Sequence, residues 1–223
     1  MANIFITGAT RGIGLELARA FAEAGNHIMV GVRDPEAARN KMPFAEAVPL
    51  DLADAQSIDN LTHYVRGNTI DVLINNAGII GPECQTSTDM DFEGFLQTLV
   101  VNTIGPLRVT QALLPNLRAS STPRLVILTS KMGSLSYAKS DQVAYRASKA
   151  AANKVTQCLA TDLALEGIAV AAVHPGWVRT DMGGADADIS PVESSAGIIR
   201  VIEGLSIHNT GRFWNYDGTE LAW

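Results

Sequence analysis

Apolar residues in this chain fall into two alternating kinds of segment. Short strand-like runs recur at 3–7, 27–32, 46–50, 70–74, 124–130, 168–174 and 211–214. Between them, at 12–24, 54–66, 88–118, 142–166 and 191–203, apolar positions repeat at helical spacing. Asp34-Pro35 marks a further short helix, because proline suits a first helical turn. Strands alternating with helices imply right-handed crossovers and a parallel sheet covered on both faces. The expected fold class is therefore α/β, one doubly wound domain over residues 1–223 with no visible linker. Residues 119–123 and 181–191 have loop composition.

The first strand, Asn3-Ile-Phe-Ile-Thr7, runs straight into Gly8, Gly12 and Gly14 and then into an amphipathic helix. That order describes a dinucleotide site. Gly8 takes the tight turn, Gly12 lets a phosphate approach the backbone, and Gly14 lets helix and sheet pack closely. The helix start would face a pyrophosphate with free N–H groups and a positive dipole end. The spacing is G-x-x-x-G-x-G, so the common G-x-G-x-x-G fingerprint is not met literally. A glycine cluster after a strand is also compatible with a simple turn.

Further along, Tyr145 and Lys149 lie four apart in an alanine-rich helical run and share a face. A phenol with its ordinary pKa of about 10 is a poor acid or base near neutrality, and a neighbouring ammonium lowers that value by favouring the phenolate. Two other strands end in chemistry: Ile70 to Ile74 runs into Asn75-Asn76-Ala77-Gly78, and Leu125 to Leu128 into Thr129-Ser130. In open α/β sheets, ligands bind beyond the carboxyl ends of the strands, where Gly8, Asn75 and Ser130 would converge.

With these motifs in one order, joined by Asn102 and His174-Pro175-Gly176, the chain closely resembles the short-chain dehydrogenase/reductase family from Thr7 to Thr180. Its ending, Gly211 to Gly218, and the stretch HPGWVRTDMGG resemble more narrowly the compact bacterial C-factor and sniffer-type carbonyl reductases. The resemblance implies a Rossmann fold with strand order 3-2-1-4-5-6-7. It also implies a hydride transfer in which Tyr145 is the general acid or base, Ser130 holds the substrate oxygen, Lys149 holds the nicotinamide ribose and Asn102 anchors a water in a proton relay. Ser130 lies fifteen residues before Tyr145, about two more than is usual in the family, so Ser134 and Ser136 stand as rivals.

For the cofactor, the resemblance assigns the loop from Gly8 to Gly14 with Thr10, Arg11 and Ile13. It adds Asp51 and Leu52 at the adenine, Asn75, Ala77 and Gly78 beside the adenosine ribose, and Pro175, Gly176, Val178 and Thr180 near the nicotinamide. Val32 stands where an NAD-binding acid is usual, with Arg33 next and Arg11 in the glycine loop. Two guanidinium groups suit a 2′-phosphate, so NADP(H) is expected ahead of NAD(H), unless Asp34 pairs with Arg33. The 181–191 segment occupies the place of the family's substrate-covering segment. Being short and polar, it predicts a shallow, open pocket.

Composition narrows the reading. With hydrophobic residues at 47%, charged ones at 18% and a net charge of −6, the chain suits a soluble enzyme and lacks a basic nucleic-acid surface. Met1-Ala-Asn leads directly into a strand with no export or spanning signal, so a cytoplasmic protein without membrane contact is expected. Cys84 and Cys158 read as free thiols, and the four scattered histidines give no metal-ligand spacing. His174, ahead of Pro175-Gly176, reads as structural.

The expected activity is NADPH-dependent reduction of a small ketone or aldehyde. The alternatives are NAD(P)+-dependent oxidation of an alcohol and a signalling protein that binds cofactor without turnover. The family's usual dimers or tetramers would form through the long helices at 88–118 and 142–166.

Overall fold

A computed structural model describes all residues, 1–223. Its seven strands are β1 (Asn3–Thr7), β2 (His27–Val32), β3 (Glu46–Pro49), β4 (Val72–Asn75), β5 (Arg124–Leu128), β6 (Ala169–His174) and β7 (Arg212–Asn215). They form a single sheet in the order β3-β2-β1-β4-β5-β6-β7, every neighbouring pair parallel. This is the order expected of a doubly wound Rossmann fold. The helices are α1 (Gly12–Glu23), α2 (Pro35–Lys41), α3 (Ala55–Tyr64), α4 (Phe92–Leu99), α5 (Gly105–Arg118), α6 (Val143–Leu163) and α7 (Pro191–Gly204).

Strand alternation divides the core into two layers. Ile4 and Ile6 face α1 and α7 together with Leu17, Phe21, Ile198 and Ile202. Phe5 faces the opposite way, into a core with Leu61 of α3, Leu113 of α5 and Leu163 of α6. Because both faces are covered, the strands read as nearly continuous apolar runs.

Side-chain caps explain where helices start. Asp34 accepts from the N–H of Ala37 at 3.0 Å and so caps α2, which occupies it away from Arg33. Asp91 caps α4 through Gly94 at 3.0 Å, so the predicted helix at 88–118 begins only at Phe92. That helix is also interrupted: Val100–Ile104 forms a π turn between α4 and α5, with Asn102 inside it. The extra residue per turn accommodates the approach of α6, onto whose Ser148 carbonyl Thr103 donates at 2.8 Å.

The 181–190 segment contains no helix, as its composition implied. It is fastened instead by a bridge between Val178 and Ile189 and by the Arg179 guanidinium, which donates to the carbonyls of Ala187 and Asp188 at 2.9 Å each.

Close packing is tight at Gly14, where an added Cβ would lie 2.5 Å from the Asn76 amide nitrogen and 2.6 Å from the Gly8 carbonyl oxygen. Gly14→Ala should therefore lose about 1–3 kcal/mol in denaturant unfolding. Gly204→Ala, at the end of α7 with open space around it, should be neutral or stabilising by up to about 1 kcal/mol. Equal effects of the two changes would show that the glycine loop is not close-packed.

Candidate active site

The carboxyl ends of β1 and β4 are joined first. Thr7 Oγ1 accepts from the N–H groups of Asn76 and Ala77, both at 3.0 Å. The Asn76 side-chain amide donates to the Thr7 and Gly8 carbonyls, both at 2.9 Å. This frame holds the glycine loop open. Gly12 has a φ of +56°, and a Cβ there would sit 3.1 Å from Thr180 Cγ2. Arg11 occupies the N-cap of α1 without a side-chain cap, leaving the first-turn N–H groups available to an anion. The cradle therefore has the open turn and free N–H groups that fit a dinucleotide pyrophosphate.

Asn75 does not join that cradle by its side chain, contrary to the expectation. It follows Leu73 on the face of β4 covered by α5, and its amide donates to Thr110 Oγ1 at 3.2 Å. Only its main chain remains to serve a ribose. Asn76, which the sequence reading did not single out, does the bracing. Asp51 caps its own turn by accepting from Ala53 N at 2.9 Å, and Leu52 packs beneath Gly105. Ala77 and Gly78 lie half-buried beside the loop. Pro175, Gly176, Val178 and Thr180 follow β6, where the Thr180 hydroxyl accepts from Gly183 N at 3.1 Å.

The two arginines differ in their contacts. Arg33 is exposed just past β2 with Val32 buried before it. Arg11 instead pairs with Asp181 at 2.7 Å, across to the substrate segment. Both partners of that pair are more than 70% exposed, at 72% and 73%, so it is a weak contact that a phosphate can displace.

Ser130, Tyr145 and Lys149 do come together. Ser130 extends past β5, and its Oγ accepts from Met132 N at 3.1 Å. Burial pushes the Tyr145 phenol up to about 12, and a hydrogen bond with Ser130 pulls it part of the way back. Burial draws Lys149 down to about 8, and its Nζ donates to the Leu128 carbonyl at 3.0 Å, 5.7 Å from the Tyr145 ring centroid. In this arrangement burial dominates the phenol, and the Lys149 ammonium is hydrogen-bonded to a carbonyl and not to the phenol. Ser134 points elsewhere: its hydroxyl donates to the Trp223 carbonyl at 2.9 Å and shares a hydrogen bond with Ser136 at 2.7 Å.

Asn102 is a clamp. Its side chain exchanges two hydrogen bonds with the main chain of Ile79, both at 2.8 Å, and donates to Ser148 Oγ at 3.0 Å. Both amide N–H donors and one Oδ1 lone pair are used within the protein, which leaves the main chain in the π turn as the freer place for a relay water.

One residue that the sequence reading missed is Gln85. Buried between α4 and α6, it accepts from Tyr145 N at 3.1 Å, while its carbonyl accepts from Val143 N at 2.9 Å. It caps the helix end that carries Tyr145. A lone glutamine in a polar loop gives no sequence signal for this. His174 is buried and its pKa falls to about 4, chiefly through burial, which suits a neutral structural residue. Both cysteines are free and exposed.

The profile of the short chain dehydrogenases matches residues 2–188. The C-signal of Myxococcus xanthus is 47% identical over 156 residues, spanning 69% of this chain and 93% of that protein. The 1-hydroxy-2-glutathionyl-2-methyl-3-butene dehydrogenase of Rhodococcus sp. (strain AD45) is 30% identical over 230 residues, covering 100% of each. Among solved structures, the carbonyl reductase Sniffer of D. melanogaster has a TM-score of 0.92 at 31% identity and covers 100% of both chains. An NADPH-bound carbonyl reductase from chicken fatty liver has a TM-score of 0.90 at 32% identity, covering 100% of this chain and 99% of that one. The motifs, the sheet order and these matches agree that the chain belongs to the short-chain dehydrogenase family.

Proposed function

We propose that residues 1–223 form one cofactor-binding domain that reduces a small or medium ketone or aldehyde with NADPH. The observation that carries this reading is the buried Tyr145 phenol, protonated at neutral pH with its pKa lowered part of the way by Ser130, on the carboxyl side of the sheet with the glycine-loop cradle. The chicken protein, similar over the whole chain, is an NADPH-bound carbonyl reductase.

When bound, the cofactor supplies the hydride. Ser130 donates to the substrate carbonyl oxygen and stabilises the charge that develops there. Tyr145 passes its phenolic proton to that oxygen. Lys149 holds the nicotinamide ribose, and the main chain of Asn102 anchors the relay water. The glycine loop with Thr10 and Ile13, and the residues from Pro175 to Thr180, hold the pyrophosphate and nicotinamide. Asp51, Leu52, Ala77 and Gly78 address the adenosine side. Arg33, and Arg11 once freed from Asp181, bind the 2′-phosphate.

The reverse oxidation uses the same groups. A signalling protein without turnover is a second reading, suggested by identity with the C-signal, but it needs neither Tyr145 nor Lys149. The protein works in the cytoplasm, and no helix is long and apolar enough to cross a membrane. It assembles as a homodimer or homotetramer, for which α4 offers Phe92 and Leu96, exposed one turn apart.

Three measurements test the reading. Tyr145→Phe should abolish most carbonyl-dependent NADPH consumption while NADPH affinity stays nearly unchanged; near-normal turnover would remove Tyr145 from the mechanism. Ser130→Ala should slow the chemical step about ten- to a thousandfold, whereas Ser134→Ala, which loses contacts only to Ser136 and Trp223, should be mild. The reverse ranking would move the substrate-oxygen donor to Ser134. Arg11→Ala and Arg33→Ala should each weaken NADP(H) by roughly ten- to a hundredfold and leave NAD(H) nearly unaffected, with Val32→Asp shifting preference further towards NAD(H). Equal wild-type affinity for the two cofactors would overturn the NADP(H) assignment.

A further inference from the structure

We propose that Asn153, Thr129 and His174 bind internal water behind Lys149, and that this hydrated seam positions the turn of α6 that carries Lys149. Buried polar atoms in folded proteins almost always have partners. Here the side-chain atoms left without one are Asn75 Oδ1, Thr129 Oγ1, His174 Nδ1 and both Nδ2 and Oδ1 of Asn153. All four residues are more than nine-tenths buried.

These atoms belong to one layer. Leu73, Ile127 and Val170 face the core beneath α3, α5 and α6, and the two-residue alternation carries Asn75, Thr129 and His174 to that same face at the ends of β4, β5 and β6. Thr129 N donates to the Val173 carbonyl at 2.8 Å, which sets Thr129 beside His174 on adjacent strands. Asn153 lies on the buried side of α6, one turn beyond Lys149, and α6 packs against β6.

The chemistry of the set selects water. An amide, a hydroxyl and a neutral imidazole each donate and accept, which satisfies the two to four hydrogen bonds that a buried water makes. No carboxylate is present among them to hold a cation. The positioning follows from geometry. Lys149 Nζ is anchored on the carbonyl of Leu128, the residue preceding Thr129, so the spacing between α6 and the end of β5 sets where the ammonium stands. Water between Asn153 and Thr129 fixes that spacing with directional bonds.

The site itself is independent of the proposed activity, whereas its effect on Lys149 rests on that reading. Long-lived internal waters are counted by oxygen-17 relaxation dispersion in the full chain, and NADPH affinity is titrated alongside. Asn153→Leu, close in size but apolar, should lose at least one long-lived water and weaken NADPH by about two- to tenfold, the equivalent of one hydrogen bond. Asn153→Ser retains a hydroxyl and leaves room for a replacement water, so it should keep the water count and hold NADPH within about twofold. Should Asn153→Leu fail to fold, Thr129→Val deletes one hydroxyl at nearly constant shape and should lower the same count. An unchanged count in the variant that folds, or equal damage to NADPH affinity by Ser and Leu, overturns the proposal. A reduced count in a protein that turns over no carbonyl compound keeps the water site and rejects the enzymatic reading instead.

Discussion

The joint between the ends of β1 and β4 is the constraint on which the site depends. Two amide hydrogen bonds from Asn76 to the carbonyls of Thr7 and Gly8, answered by two N–H bonds to the Thr7 hydroxyl, fix where the glycine loop leaves the sheet. A parallel sheet provides no hairpin to register neighbouring strand ends, so side chains must supply that function. Gly14 is required by the same joint, since any side chain there would meet the Asn76 amide. The anion cradle and the closely packed helix start are thus two results of one contact.

The second half of the site is held at longer range. Tyr145 and Lys149 stand on α6, far along the chain from the glycine loop, and three contacts place that helix. Gln85 satisfies two N–H groups of its first turn. Gly133 lies against the Lys149 backbone so closely that a Cβ would come within 2.5 Å of the Lys149 carbonyl carbon. Asn102 reaches from the π turn to Ser148 at 3.0 Å. Each contact joins α6 to a different part of the chain, two to loops and one to the π turn, so the reactive side chains are positioned from outside their own helix.

What was legible in the sequence follows from locality. The inner strands announce themselves because they are buried on both sides; β2 runs from His27 to Val32 as the apolar pattern implies. The glycine loop and the Tyr145–Lys149 pair were readable because their spacing is a local geometric statement. The π turn is marked in the sequence only by Gly105-Pro106, where a helix irregularity is expected, because hydrophobic periodicity continues through it. Asn75 and Asn76 are chemically identical neighbours, and strand alternation alone decides which one turns to α5 and which to the glycine loop. Nor does spacing reveal that Arg11 finds Asp181, 170 residues away, before it finds any phosphate. Ser130 and Ser134 are told apart by place and not by spacing, since Ser130 follows the end of β5 whereas Ser134 is engaged by Trp223.

Burial acts on the two reactive groups in opposite directions, and that opposition shows what controls the phenol. Tyr145 and Lys149 have similar ordinary values, 10.0 and 10.5, yet stand near 12 and 8 because low polarity disfavours a phenolate and an ammonium alike. Their mutual attraction would reverse both shifts if the ammonium stood against the phenolic oxygen. It is instead held by the Leu128 carbonyl at 3.0 Å. The end of β5 therefore supplies both the hydroxyl that contacts the phenol and the carbonyl that keeps the ammonium from it. A change that moved Lys149 from Leu128 towards the phenol would lower the Tyr145 pKa and raise that of Lys149 together, because one Coulomb interaction stabilises both charged forms. The acidity of Tyr145 is accordingly a property of where β5 stops relative to α6, and no single residue sets it.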